Sequence, residues 1–253
     1  MFERPNQNQE HTITPQFLAE QIALPREERN EDFNNYVAGI VQEEMRMRTE
    51  ETPEKTLEEE RRATFDRYVK GLALSPDDLK DKVIMDIGSG DGEFVEELVD
   101  RGITKEAYGI DVHDPQEVEK YKEHFFRDTF EKPLPVKNAD YAVSVGAISN
   151  FGAFNETGED KEVLEKLLKN ALAAIKETGE VRIYPIQRAS HGSELIGLEE
   201  SYQRWQEVLS KLATEENAEW ELRPIDIRVA GNDMADIWLD EMLRIKKRQA
   251  QQP

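Results

Sequence analysis

The stretch Val83-Ile84-Met85-Asp86-Ile87-Gly88-Ser89-Gly90-Asp91-Gly92-Glu93-Phe94 decides the fold. Four of its first five residues are apolar. Three glycines then alternate with polar residues, and Phe94, Val95, Leu98 and Val99 follow at helical spacing. This is the pattern of a buried strand, a glycine turn and an amphipathic helix. A tight turn needs only one glycine. Three imply a ligand lying against the main chain, or backbone angles that side chains rarely adopt. The free N–H groups of the helix start point at the same place.

Working outward, strand and helix signals alternate along the rest of the chain. Gly102 can stop the first helix, and Ala107–Asp111 reads as a second strand. A helical stretch from Pro115 to about Glu123 leads to a third strand, His124–Asp128, and a fourth, Asp140–Ile148. Val163, Leu164, Leu167, Leu168, Leu172 and Ile175 mark a helix that Gly179 should end, before a fifth strand, Glu180–Ile186. Ser193 is placed to cap the next helix. Trp220–Arg228 and Met234–Ile245 flank a hairpin turn at Ala230-Gly231-Asn232-Asp233. Short connections and right-handed crossovers predict an open, doubly wound, mostly parallel α/β sheet closed by an antiparallel hairpin.

Before residue 80 the pattern is helical and highly charged. One helix opens at Thr14-Pro15, and a second runs from about Asp32 to Arg48. A third carries Leu57, Phe65, Tyr68, Val69 and Leu72. Residues 1–80 are thus expected to form a helical extension that covers a sheet face or acts as a lid, and residues 81–248 the ligand-binding domain. The Phe65–Leu72 stripe is the piece expected to touch ligand.

Composition removes several function classes. The 253 residues carry a net charge of −21, so this acidic protein repels a phosphate backbone, and unspecific nucleic-acid binding is disfavoured. Absence of cysteine removes disulfides, thiolate metal sites, iron–sulfur clusters and thiol nucleophiles. No apolar run approaches the roughly 20 residues of a membrane span, and the first eleven residues, MFERPNQNQEH, lack a signal-peptide core. The expectation is a cytoplasmic protein with no membrane partner and no metal.

The glycine spacing separates two cofactor classes. A dinucleotide site needs G-x-G-x-x-G, and counting from Gly88 puts Glu93 in the last slot. The spacing present is D-x-G-x-G-x-G. An anion at Asp86 repels a pyrophosphate but attracts an ammonium group, and Asp111 can accept hydrogen bonds from both hydroxyls of a ribose. The ligand implied has a ribose, a cationic amino-acid end and no phosphate, which describes S-adenosylmethionine.

With DIGSGDGEF, YGIDVH, RDTFEKPLPVKNADYAVSVGAIS and the closing hairpin in place, the sequence resembles the class I (Rossmann-like) S-adenosylmethionine-dependent methyltransferases over roughly residues 65 to 245. The resemblance implies a seven-stranded sheet whose last strand is antiparallel. It also implies that Asp86, Gly88, Ser89, Gly90 and Gly92 surround the methionine part, and that Asp111 binds the ribose with Val112 beside the adenine. Asp128 would accept the adenine amino group, with Thr129 alongside, and Val145 and Gly146 would line the methionine side.

The acceptor half is dark. Without cysteine, methylation through a covalent thiol adduct is excluded. The N-P-P-[YFW] signature of enzymes that methylate exocyclic base amines is missing; Ser149-Asn150-Phe151-Gly152 stands there and, with Phe154, edges the expected acceptor pocket. Of the four histidines His191 is the best-placed base, while His113 and His124 read as structural or exposed and His11 lies in the tail. Phe125 and Phe126 read as core, and Tyr184 as packing. The leading reading is a methyltransferase with a small-molecule acceptor. The alternative is a non-catalytic, methyltransferase-like binding or interaction protein, and glycine spacing disfavours a nicotinamide-dependent oxidoreductase.

Overall fold

A computed structural model describes residues 13–49, 56–113, 119–153, 159–193, 195–230 and 236–249. Its strands are β1 (Ile84–Ile87), β2 (Ala107–Asp111), β3 (Phe125–Arg127), β4 (Ala139–Val145), β5 (Ile175–Ala189), β6 (Ala218–Ala230) and β7 (Asp236–Lys247). They form one sheet in the order β3-β2-β1-β4-β5-β7-β6. The first five pair in parallel, and β7 runs antiparallel to both β5 and β6. The doubly wound, seven-stranded α/β sheet with a C-terminal antiparallel hairpin is therefore what forms. Strand order reverses between β1 and β4, so the ligand crevice of such a sheet lies beyond their carboxyl ends.

All four β1 residues are buried, as a strand covered on both faces requires. Ile84 packs with Phe94, Val95 and Leu98 of α5 (Glu93–Asp100), with Phe65 and Tyr68 of α3 (Leu57–Gly71), and with Leu72, which caps the end of α3. Met85 and Ile87 pack instead with Leu164, Leu168, Trp205 and Leu209, from α7 (Glu159–Ala174) and α8 (Ile196–Glu215). The two-residue period of a strand then turns Asp86 to the face covered by α3 and α5.

The N-terminal helices divide between two places. α1 (Pro15–Ile22) starts at Thr14, whose hydroxyl accepts the Phe17 N–H at 3.1 Å. With α2 (Glu31–Thr49) it buries Leu18, Ile22, Phe33 and Val37 against Ile227, Val229, Ile237 and Leu239 of the hairpin. α3 opens on a Thr56/Glu59 capping box and lies on α5. Arg61 pairs with the buried Glu96, the Thr64 hydroxyl donates to Glu93 at 2.5 Å, and the Arg101 guanidinium sits 4.2 Å from the Phe65 ring centre.

Several boundaries depart from the sequence pattern. Gly179 does not end α7, which stops at Ala174; Ile175 pairs with Ala139, and β5 returns to register only where Glu180 meets Tyr141. A side chain at Gly179 would crowd the Ala139 carbonyl at 2.7 Å, so the glycine serves this irregularity. Strand β4 ends at Val145, because the Ser144 hydroxyl accepts the Ile148 N–H at 3.1 Å and helps start α6 (Ile148–Ala153). Ser193 is not the cap of α8; Leu195 is, and the Ser193 hydroxyl accepts its N–H at 3.2 Å. A short 3-10 helix covers Glu119–His124, while Pro115 and the turn residues Gly231, Asn232 and Asp233 lie outside the described residues. Finally, β5 leaves β4 at the Val145–Tyr184 pair yet stays paired with β7 as far as Ala189 and Trp238. The outer strands overhang the crevice.

Candidate cofactor-binding site

The glycine turn is tied to β2, since the N–H groups of Gly88 and Ser89 donate to the Ile110 carbonyl at 2.8 and 3.2 Å. Its three glycines answer different demands. A side chain at Gly88 would overlap that of Ala147, and one at Gly92 would enter the Phe125 ring, so both are required by the protein's own packing. Gly90 differs. Its φ of +53° suits glycine, and a side chain there would meet no atom of the described residues within 4 Å. Gly146, at the end of β4 with its N–H on the Tyr184 carbonyl at 2.9 Å, also borders open space. Open room therefore adjoins the ends of both β1 and β4.

Two carboxylates flank this room in opposite states. Asp86 is fully buried, and among the described residues neither of its oxygens finds a hydrogen-bond partner. Burial pushes its carboxyl from 3.8 up to about 8; the Asp111 carboxylate adds to the rise, while the Tyr68 hydroxyl and Arg67 oppose it. Asp111 accepts the Gly90 N–H at 2.9 Å on one oxygen and the His113 N–H at 2.9 Å on the other. Burial alone would raise Asp111, but these bonds and the His113 ring outweigh it and hold the carboxyl below its usual value. Asp111 is a fixed anion with lone pairs to spare.

The remaining predicted residues surround this pair at differing depths. Ser89 is buried and its hydroxyl has no partner. Val112 is 49% exposed, Val145 is half-buried beside Gly146, and the Thr129 hydroxyl accepts the Glu131 N–H at 3.3 Å. Asp128 follows β3 and donates its N–H to the Asp111 carbonyl at 3.1 Å, so its backbone is adjacent. Its carboxylate is engaged within its own turn, pairing with Lys132 at 2.6 Å; Lys132 and then the Thr129 N–H depress its pKa.

Phe125 packs against the positions of Gly92 and Gly109 and belongs with the α3–α5 core, and Phe126 packs on the opposite cluster. The His124 ring lies 2.8 Å from the Ala107 carbonyl, and His113 is exposed beside Asp111. His191 is exposed and its N–H is bound by the Ile22 carbonyl at 2.9 Å, which joins α1 to the loop after β5. Asn150 is exposed within α6, and Phe154 lies outside the described residues. Among the described residues no group of three metal-ligating side chains gathers.

Two features escaped the sequence pattern. Tyr68 of α3 is buried, stacks on Phe94 with ring centres 4.3 Å apart, and brings its hydroxyl beside Asp86 without reaching hydrogen-bonding geometry. The aromatic stripe marked α3; only the fold supplies the partner. Asp240 of β7 is buried and accepts from Tyr184 at 3.2 Å, Gln187 at 3.4 Å, Arg228 at 3.1 Å and Trp238 at 3.1 Å. Burial and then Asp240 push the Tyr184 phenol up to about 12, so it stays protonated at neutral pH. The two acids, Asp240 and Glu241, inside the apolar run Ile237–Leu243 are the only sequence signal for this hub.

A group with a cationic end and a ribose fits these residues. The cation would meet an uncompensated buried acid at Asp86, the hydroxyls would meet Asp111, and the open space at Gly90 would leave room between them. A pyrophosphate in the same place would face both carboxylates.

No protein-family model and no curated protein matches the chain. Among solved structures, the chain is similar to a magnesium protoporphyrin IX methyltransferase from Synechocystis with bound S-adenosylmethionine, at 11% identity over 85% of this chain and 94% of that one, TM-score 0.46. It is similar also to an O-methyltransferase of neocarzinostatin biosynthesis in complex with S-adenosylhomocysteine, at 11% identity and TM-score 0.46, covering 74% of this chain and only 57% of that one. A Burkholderia thailandensis 1,6-didemethyltoxoflavin N1-methyltransferase gives 15% identity over 79% of this chain and 94% of that one, TM-score 0.40.

Proposed function

We propose that this chain is an S-adenosylmethionine-dependent methyltransferase with a small-molecule acceptor. The observation that carries the reading is the buried, unpartnered Asp86 carboxyl of β1, near an Asp111 carboxylate that is already fixed by the N–H of the open Gly90. A buried acid with no partner is costly and needs an explanation, and a cationic ligand end supplies one. When bound, the cofactor would supply a methyl group on a sulfonium: the acceptor nucleophile would form a bond to that carbon as the carbon–sulfur bond breaks, and the thioether would leave with the electron pair.

The chain's residues supply position and exclusion of water. Asp111 holds the ribose edge, Asp86 the ammonium, and the main chain at Gly90 and Gly146 gives clearance at the reacting end. A net charge of −21 favours a small acceptor over a phosphate polymer.

Calorimetry tests the reading. S-adenosylmethionine and S-adenosylhomocysteine should bind and NAD should not. Asp111→Ala should weaken binding by about 1–3 kcal/mol, the range for hydrogen bonds to a charged group. If neither nucleoside binds, the proposal fails. Label transfer from methyl-tritiated cofactor into the low-molecular-mass fraction of an extract would then support the acceptor class, and label confined to macromolecules would overturn it.

A further inference from the structure

Asp86 has no hydrogen-bonding partner, yet one hydroxyl stands beside it. That hydroxyl belongs to Tyr68, which α3 carries onto the same face of the sheet. The ring is held in place. It stacks on Phe94 at an interplanar angle of 18°, and α3 is fastened to α5 through Arg61–Glu96 and Thr64–Glu93. A phenol so fixed has little rotational freedom left to lose when it makes a bond.

We propose that Tyr68 is a positioning residue for the cofactor: its hydroxyl donates to the Asp86 carboxylate once that group is charged, and so keeps it ionised and oriented toward the ligand's ammonium. This inference rests on the function proposed above and adds α3 to the site. The charged and titratable groups around the pair are few. Arg67 on α3 favours the Asp86 anion, Asp111 on β2 opposes it, and Glu93 on α5 acts on the phenol. Burial and then the Asp86 carboxylate hold the Tyr68 phenol well above its ordinary value, so it remains a donor wherever Asp86 titrates. The hydrogen bond and the charge therefore form together.

The test removes only the hydroxyl, in Tyr68→Phe, and reads two quantities. The first needs no ligand. The infrared band of the protonated carboxyl that is missing from Asp86→Asn is followed as pH rises, in the parent chain and in Tyr68→Phe. The midpoint should move up by about one pH unit, as expected for one lost hydrogen bond to a charged group. The second is S-adenosylhomocysteine affinity, which should fall about tenfold near pH 6.5 and only about twofold near pH 9, where the same shift matters less. An unchanged midpoint overturns the role of Tyr68, even if the nucleoside binds. A shifted midpoint in a chain that binds no nucleoside overturns the function and leaves the pair as a structural device. A uniform loss of affinity at every pH, with no shift, reduces Tyr68 to packing and also refutes the proposal. Chemical unfolding of Tyr68→Phe accompanies both readings, so that loss of fold is seen as such.

Discussion

Replacing Asp86 with asparagine probes the buried carboxyl with no ligand present. Burial in the folded chain pushes the group from 3.8 up to about 8, and unfolding returns it to the ordinary value. Between these limits the folded protein holds a proton that the unfolded chain has released. The unfolded state then binds fewer protons, so stability falls as pH rises through the window and levels off above it. A gap of about four units, at about 1.4 kcal/mol each, amounts to about 6 kcal/mol lost at alkaline pH. Against a typical total of about 5–15 kcal/mol this is large. The Asp86→Asn protein keeps the side-chain shape and has no such slope. The other carboxylates titrate alike in both proteins and cancel in the difference. Urea unfolding at intervals between about pH 4.5 and 8.5 should show the variant gaining about 4 kcal/mol on the parent across the range. Parallel stability curves for the two proteins would refute the assignment of a buried, proton-holding Asp86.

Two further predictions separate ligand space from packing. Gly90→Ala should leave the melting temperature within a few degrees while weakening S-adenosylhomocysteine binding at least about tenfold, and Gly92→Ala should do the reverse, costing about 1–3 kcal/mol of stability because its side chain meets Phe125; equal effects on both readouts would count against the open space at Gly90. Asp240→Ala should cost about 1–3 kcal/mol, because the buried Tyr184 hydroxyl loses its acceptor while the half-exposed Arg228 can turn to water, so no measurable loss in denaturant titrations would show that the hub is not a stabilising centre.

Much of the fold was legible because its signals are local. The run Val83–Phe94 carries strand, turn and helix within twelve residues, and Asp111 follows at the end of the next apolar run. Where the pattern misled, a contact distant in sequence had intervened. Ile175 completes the apolar stripe of α7, yet pairing with Ala139 draws it into the sheet, so the helix stops before the glycine that looked like its end. Ile148 continues an apolar run, but the Ser144 hydroxyl turns it into a helix start. The glycines were visible while their separate reasons were not, because Ala147 and Phe125 reach them from other strands' ends. In the same way, Tyr68 and Asp86 lie eighteen positions apart on different elements, and no spacing rule joins them.

The overhang of β5 and β7 gives the crevice a low bank on the side of β1 and β2 and a high bank beyond β4. For the proposed nucleoside, the low bank would be the bed and the tall one the backstop for whatever approaches its reactive end. Strand length would then help set the angle of approach, and a chain could lengthen or trim it two residues at a time without disturbing that bed.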